Sequence, residues 1–187
     1  LSYPVRALEA DALLDEITEA AGRISELLAS VKQYTQMDRA PLQTFDVHEG
    51  LDATLTMLAH KLGDDIEIDR DYDRTLPKIS AFPGELNQVW TNLIDNAADA
   101  MADQGNLTLR FMQTDRELIT ELADTGPGIA PEILPRLFQP FATHGKAHGS
   151  GLGLAICKML IEDHGGTITA RSELGQDDPN GSAQGPG

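Results

Sequence analysis

Aromatic residues are scarce in this chain: Phe, Trp and Tyr make up 5% of its 187 residues, with a single Trp. Its core must therefore be built from Leu, Ile, Val and Ala, and a hydrophobic content of 41% is enough for one. There is one cysteine, Cys157, which excludes an internal disulfide and fits a reducing compartment. It sits in an apolar helical pattern, which points to a buried small hydrophobe rather than a reactive thiol. Cations are few: 14 Lys and Arg stand against 30 Asp and Glu, for a formal net charge of −16. Counterion release on a phosphate backbone needs clustered Lys and Arg, so nucleic acid and anionic membrane are poor partners, and the acidity reads as solubility. No apolar run approaches the roughly 18 residues of a membrane span, and no signal peptide is visible. The expectation is a cytoplasmic piece with no membrane contact of its own. A chain opening on Leu1 rather than Met is expected to be part of something longer.

What is present falls into three stretches. Over residues 10–31 the apolar positions Leu13, Ile17, Ala20, Ile24, Leu27 and Val31 step by 4 and 3 in alternation, a heptad pattern. Leu14, Ala21 and Leu28 widen the stripe, which suits a bundle better than a two-stranded zipper. The stripe needs a partner from missing sequence or another subunit; packing on its own domain is the alternative. Pro41 ends this helix, and a linker runs to about Asp46. From there the pattern predicts a helix over 47–62, a strand over 66–72, a short strand within 77–82, a helix over 84–102, strands near 107–111 and 118–123, a helix over 152–163 and a strand over 167–171. That order predicts an α+β fold, a mixed sheet with helices on one face, preceded by a long bundle helix. Residues 176–187 are Gly, Pro, Asp, Asn, Ser, Gln and Ala without hydrophobic period, and disorder is expected there.

Chemistry concentrates in three elements. The 84–102 helix buries Leu86, Val89, Trp90, Leu93, Ile94, Ala97 and Met101. Gln88, Asn92, Asn96 and Asp99 share its opposite side. Asn disfavours helix interiors, so two of them a turn apart mark either a solvated face or a carbonyl ligand for Mg²⁺. Asp124 comes off a strand into Thr125-Gly126-Pro127-Gly128. This is either an ordinary turn or a carboxylate placed to accept the exocyclic amine of adenine. Gly149-Ser150-Gly151-Leu152-Gly153-Leu154 feeds a helix N-terminus, which can present N–H groups to phosphate. No Lys-Ser/Thr follows, so this is not a P-loop, and no strand precedes it as a dinucleotide fold requires. Between the glycine elements, Phe138 and Phe141 flank Pro140, as lid anchors, core residues or both. Lys146 is either the lid's phosphate contact or a solvated cation.

Together, Asn96 in its helix, the Asp124–Gly128 turn, Phe138-Gln139-Pro140-Phe141 and the Gly149–Leu154 element resemble the ATP-binding domain of bacterial sensor histidine kinases. These belong to the superfamily shared with gyrase B, the Hsp90 chaperones and MutL. The resemblance covers residues 46 to about 173. It implies a two-layer α/β sandwich that binds ATP and Mg²⁺. It also implies γ-phosphoryl transfer to a histidine on a dimerisation hairpin, with a response regulator downstream. Asn96 resembles the Mg²⁺ ligand and Asp124 the adenine-reading acid. Gly149, Ser150, Gly151, Leu152, Gly153 and Leu154 resemble the phosphate cradle. Asn92, Asp99, Gly126, Gly128, Ile129, Phe138, Phe141 and Lys146 complete the implied nucleotide site. Residues 1–45 then resemble the second dimerisation helix with its linker, implying a homodimer, with the catalytic domain at 46–175 and the tail at 176–187.

Three departures qualify this. No phosphoacceptor segment is present: the family places His, an acid and then Pro on the first dimerisation helix, and His48-Glu49 lacks the Pro and sits at the domain join. His60, His144, His148 and His164 have weaker claims. Position 99 is Asp where many members carry a basic residue near the phosphates, with Lys146 as the compensating cation. The strand expected after Gly175 is missing, which predicts a sheet one strand short, an exposed edge and reduced stability. Two rivals follow. A gyrase, Hsp90 or MutL-type ATPase would carry a Glu one turn before the metal Asn, where this chain has Asn92. A nucleotide-binding or dimerising module would have lost catalysis altogether.

Overall fold

The computed structural model describes residues 42–102, 104–142 and 151–173. The heptad helix, Lys146, Gly149, Ser150 and the tail lie outside the described residues. The first element, β1 (Gln43–Phe45), occupies what the sequence pattern gave to a linker; it pairs antiparallel with β3 (Ile79–Ala81). Three residues of strand show too little alternation to be read without their partner.

Helix α1 (Val47–Leu62) starts where Asp46 caps it, its Oδ1 accepting the His48 N–H at 3.0 Å. Val47, Leu51, Leu55, Leu58 and Leu62 are all buried, and Gly63 ends the helix with φ +65°. Strand β2 (Ile66–Tyr72) leads through β3 to α2 (Pro83–Met101), where Pro83 supplies its fixed φ at the first turn. Strands β4 (Gly105–Gln113) and β5 (Leu118–Asp124) follow, then a 3₁₀ turn (Leu134–Arg136) and α3 (Gly153–Asp163).

The sheet is mixed, as expected. β4 is central, parallel to β2 and antiparallel to β5. The parallel pair is joined by a crossover carrying β3 and α2. Leu107, Leu109 and Phe111 alternate along β4 and are at most 1% exposed. With Leu51, Ile94 and Leu160 they belong to one core, so the helices cover one face of the sheet. The opposite face is polar: Arg110 reaches Asp71 at 2.7 Å and Glu121 at 2.9 Å on the flanking strands.

The expected strand over 167–171 is not formed. Ile168 packs against the core and Ser172 Oγ accepts the Ile129 N–H at 2.7 Å. No described strand is hydrogen-bonded to it, and without a paired ladder its backbone groups do not form a strand. Among the described residues β5 pairs only with β4.

Gly50 shows how β1 is held. A Cβ there would overlap the Phe45 ring, so the first turn of α1 must be bare to seat it. Gly50→Ala is expected to cost about 1–3 kcal/mol through overpacking, read as a lower denaturant midpoint. An unchanged midpoint would refute this seating.

Candidate functional site

The polar stripe of α2 connects both glycine elements. At one end, Asn92 Nδ2 donates to the Gly153 carbonyl at 3.4 Å. A Cβ on Gly153 would come within 3.6 Å of the Asn92 side chain, so the start of α3 lies against this turn of α2. At the other end, a Cβ on Gly126 would lie 3.1 Å from Ala100 Cβ, so the Asp124–Gly128 turn rests on the last turns of α2. Asn92 and Ala100 are separated along the axis by about 12 Å at 1.5 Å per residue, and Asn96 is midway, half-buried.

The turn after β5 is built tightly. Asp124 Oδ1 accepts the Gly126 N–H at 2.9 Å, which fixes the carboxylate direction at the strand end. Thr125 Oγ1 accepts the Asn106 N–H at 2.9 Å, tying the turn to β4. Gly128 has φ +81°, a conformation that favours glycine, and Ile129 is anchored through its bond to Ser172.

At α3, the N-cap position is Leu152, whose side chain makes no capping bond. The first amides of the helix thus have no capping acceptor from that residue. The Phe141 N–H donates to the Gly151 carbonyl at 2.9 Å, so the residues on either side of segment 143–150 are bonded to one another. Phe141 is 58% exposed with φ +65°, and Phe138 is half-buried; neither belongs to the main buried cluster. Sequence reasoning passed over Arg136, which lines a shallow depression with Ile133, Gln139 and Phe141. Its place one turn before Phe138-Gln139-Pro140-Phe141 was the available signal.

Asp99 is ion-paired: Lys61, in the last turn of α1, places Nζ 3.1 Å from Asp99 and 3.2 Å from Asp95. Partial burial works against the Lys61 charge, but these carboxylates hold its ammonium above the usual lysine range. Cys157 is buried as expected, and burial pushes its thiol up to about 11.

His48 and His164 are built into the fold. His48 is 5% exposed. Nδ1 lies 3.1 Å from Asp46 Oδ1 and Nε2 3.0 Å from the Asp73 carbonyl, and the ring packs on Tyr72 and Phe111. His164 Nε2 accepts the Phe82 N–H at 3.2 Å while Nδ1 meets the Leu160 carbonyl at 2.7 Å. His60 is exposed, with Nδ1 3.2 Å from the Met57 carbonyl. His144 and His148 lie outside the described residues.

Residues 83–182, more than half of the chain, match the model of the histidine kinase-, DNA gyrase B- and HSP90-like ATPases. The chain belongs to this ATPase family. Its similarity within the family runs to sensor histidine kinases. It is 32% identical over 177 residues to the sensory histidine kinase/phosphatase NtrB of Rhodobacter capsulatus, covering 88% of this chain and 50% of NtrB. The structure of full-length ShkA in complex with AMPPNP aligns at a TM-score of 0.68 with 28% identity, over 90% of this chain and 37% of that one. The mycobacterial sensor histidine kinase MprB aligns at 0.59 with 29% identity, over 66% and 80%. The chain spans half or less of the curated relatives' own length. Among the described residues no helix is long and apolar enough to cross a membrane.

Proposed function

We propose that this chain is the catalytic part of a sensor histidine kinase, binding Mg²⁺-ATP and passing the γ-phosphoryl group to a histidine on a dimerisation hairpin. One observation carries the reading: the Asp124 turn and the start of α3 sit at opposite ends of one helical stripe, with Asn96 between them. A nucleotide laid along that stripe has its base at Asp124 and its phosphates at the amides of Gly153 and Leu154. Phe141, bonded to Gly151 just before α3, and Phe138 are assigned to the edge of the base and phosphate site, and Lys146 to the phosphates.

The donor set suits magnesium. Among the described residues no group of three or more His, Cys, Asp or Glu side chains is poised to hold a metal. A cation here would rest mainly on phosphate oxygens and water, with the Asn96 carbonyl added, which is how Mg²⁺ is commonly held. Bound Mg²⁺ would neutralise phosphate charge. The chain's own part is positioning, the principal demand of phosphoryl transfer. Asp124 orients the base, Asn92 holds the start of α3 in place, and the α3 amides face the phosphates.

The acceptor belongs to another segment. His48 could receive a phosphoryl group only by leaving Asp46, Asp73 and two aromatic rings. In this reading residues 1–45 supply a helix of the dimer, residues 46–175 the catalytic domain with β1 added to it, and a response regulator takes the phosphoryl group onward. Incubation with γ-labelled ATP is the test. We expect label on a separately supplied acceptor hairpin and none on this chain. Steady phosphate release with no labelled protein would favour a hydrolytic ATPase instead.

A further inference from the structure

The α2 stripe presents an electrostatic problem to any polyphosphate. Asp95 lies three residues after Asn92 and Asp99 three residues after Asn96, and side chains three or four apart on a helix are neighbours at about 5–6 Å. Two carboxylates would thus stand beside the place where phosphate charge collects, in a chain already at −16. The structure answers this from another element. Lys61 Nζ sits between the two, 3.2 Å from Asp95 Oδ1 and 3.1 Å from Asp99 Oδ1. Its side chain and both carboxylates are 35–39% exposed, so the trio lies at the rim of the stripe, not in the core. As a surface ion pair it adds little to folding. A charge close to a bound triphosphate acts on binding over that same distance.

We propose that Lys61 is a positioning residue for the nucleotide's phosphates: it neutralises Asp95 and holds Asp99 turned toward α1, so that the stripe around Asn96 accepts a triphosphate. This rests on the nucleotide reading above. The ammonium is held by a bidentate acceptor pair on successive turns, which a guanidinium can also bridge and a neutral side chain cannot. The raised protonation of Lys61 keeps the cation in place across the neutral range.

The test compares adenosine and AMPPNP binding, in Mg²⁺, to the 187-residue chain and to Lys61→Met, Lys61→Arg and Lys61→Met/Asp95→Asn. Lys61→Met is expected to weaken AMPPNP binding about three- to tenfold, the size of one unscreened charge at this range, with adenosine affinity unchanged. Lys61→Arg should restore AMPPNP binding, and Asp95→Asn should recover part of the loss. Equal losses for adenosine and AMPPNP would show a merely structural role and overturn the proposal. So would an unaltered AMPPNP affinity in Lys61→Met. If the unsubstituted chain binds adenosine but not AMPPNP, the phosphate assignment falls with it. If it binds neither, the nucleotide reading itself fails.

Discussion

Asn96→Ala is expected to abolish Mg²⁺-dependent nucleotide binding and, with it, labelling of an acceptor hairpin. The loss should exceed the roughly 10–100-fold that follows removal of an outer-shell partner of a metal, because here the side chain is assigned to the metal itself. The fold should survive. Asn96 lies on the polar side of α2, half-buried, and Ala is the better helix former. Asn96→Asp makes the sharper comparison. Aspartate is an ordinary Mg²⁺ ligand, but it would put a third carboxylate next to Asp95 and Asp99. It should bind metal and still repel triphosphate. Titration of AMPPNP with and without Mg²⁺ reads both effects. If Asn96→Ala binds AMPPNP as tightly as the parent, the assignment of Asn96 is wrong.

Phe111→Ala should be the most damaging core substitution. The ring is 1% exposed on the central strand and meets three others: His48 at 4.9 Å, Tyr72 at 5.1 Å and Trp90 at 6.4 Å between centroids. Emptying such a site costs about 3–5 kcal/mol, with the lost aromatic pairings placing it toward the upper end. Against a typical total of about 5–15 kcal/mol, this would leave the unit marginal or unfolded at 37 °C. Thermal unfolding followed by circular dichroism checks it, with a fall in midpoint of roughly 10 °C or more expected. A fall of only a degree or two would mean that this part of the core collapses easily around the gap. With so few aromatics in the chain, clustering four rings between β4, β2, α1 and α2 makes their loss harder to absorb.

Most of the scaffold could be read from periodicity because long elements repeat their pattern. α1 and α2 each show several turns of one apolar face, and β4 alternates cleanly through Leu107, Leu109 and Phe111. What escaped was short or dependent on a neighbour. β1 has three residues and is recognisable only beside β3. The segment over 167–171 has a strand's alternation, but pairing is a property of two strands, and the sequence of one says nothing about its neighbour. The candidate site was legible as a pattern of residue types and order, since glycines before a helix and an Asp leaving a strand have local physical meanings. Lys61 and Arg136 were missed for the opposite reason. A lone cation carries no pattern, and Lys61 matters because α1 and α2 bring residues 61, 95 and 99 together.

The stripe along α2 has one more consequence. Because Asn92, Asn96 and Ala100 ride on a single helix, their mutual arrangement is a matter of angular phase as well as distance. Inserting or deleting one residue between Asn92 and Ala100 turns everything beyond it by about 100°, carrying Asn96 or the seat of the Asp124 turn out of alignment. Substitutions here can be graded in effect, whereas a change of length cannot. The helix acts as a ruler with a fixed reading, and the spacing from the Asp124 turn to the start of α3 is written into its residue count.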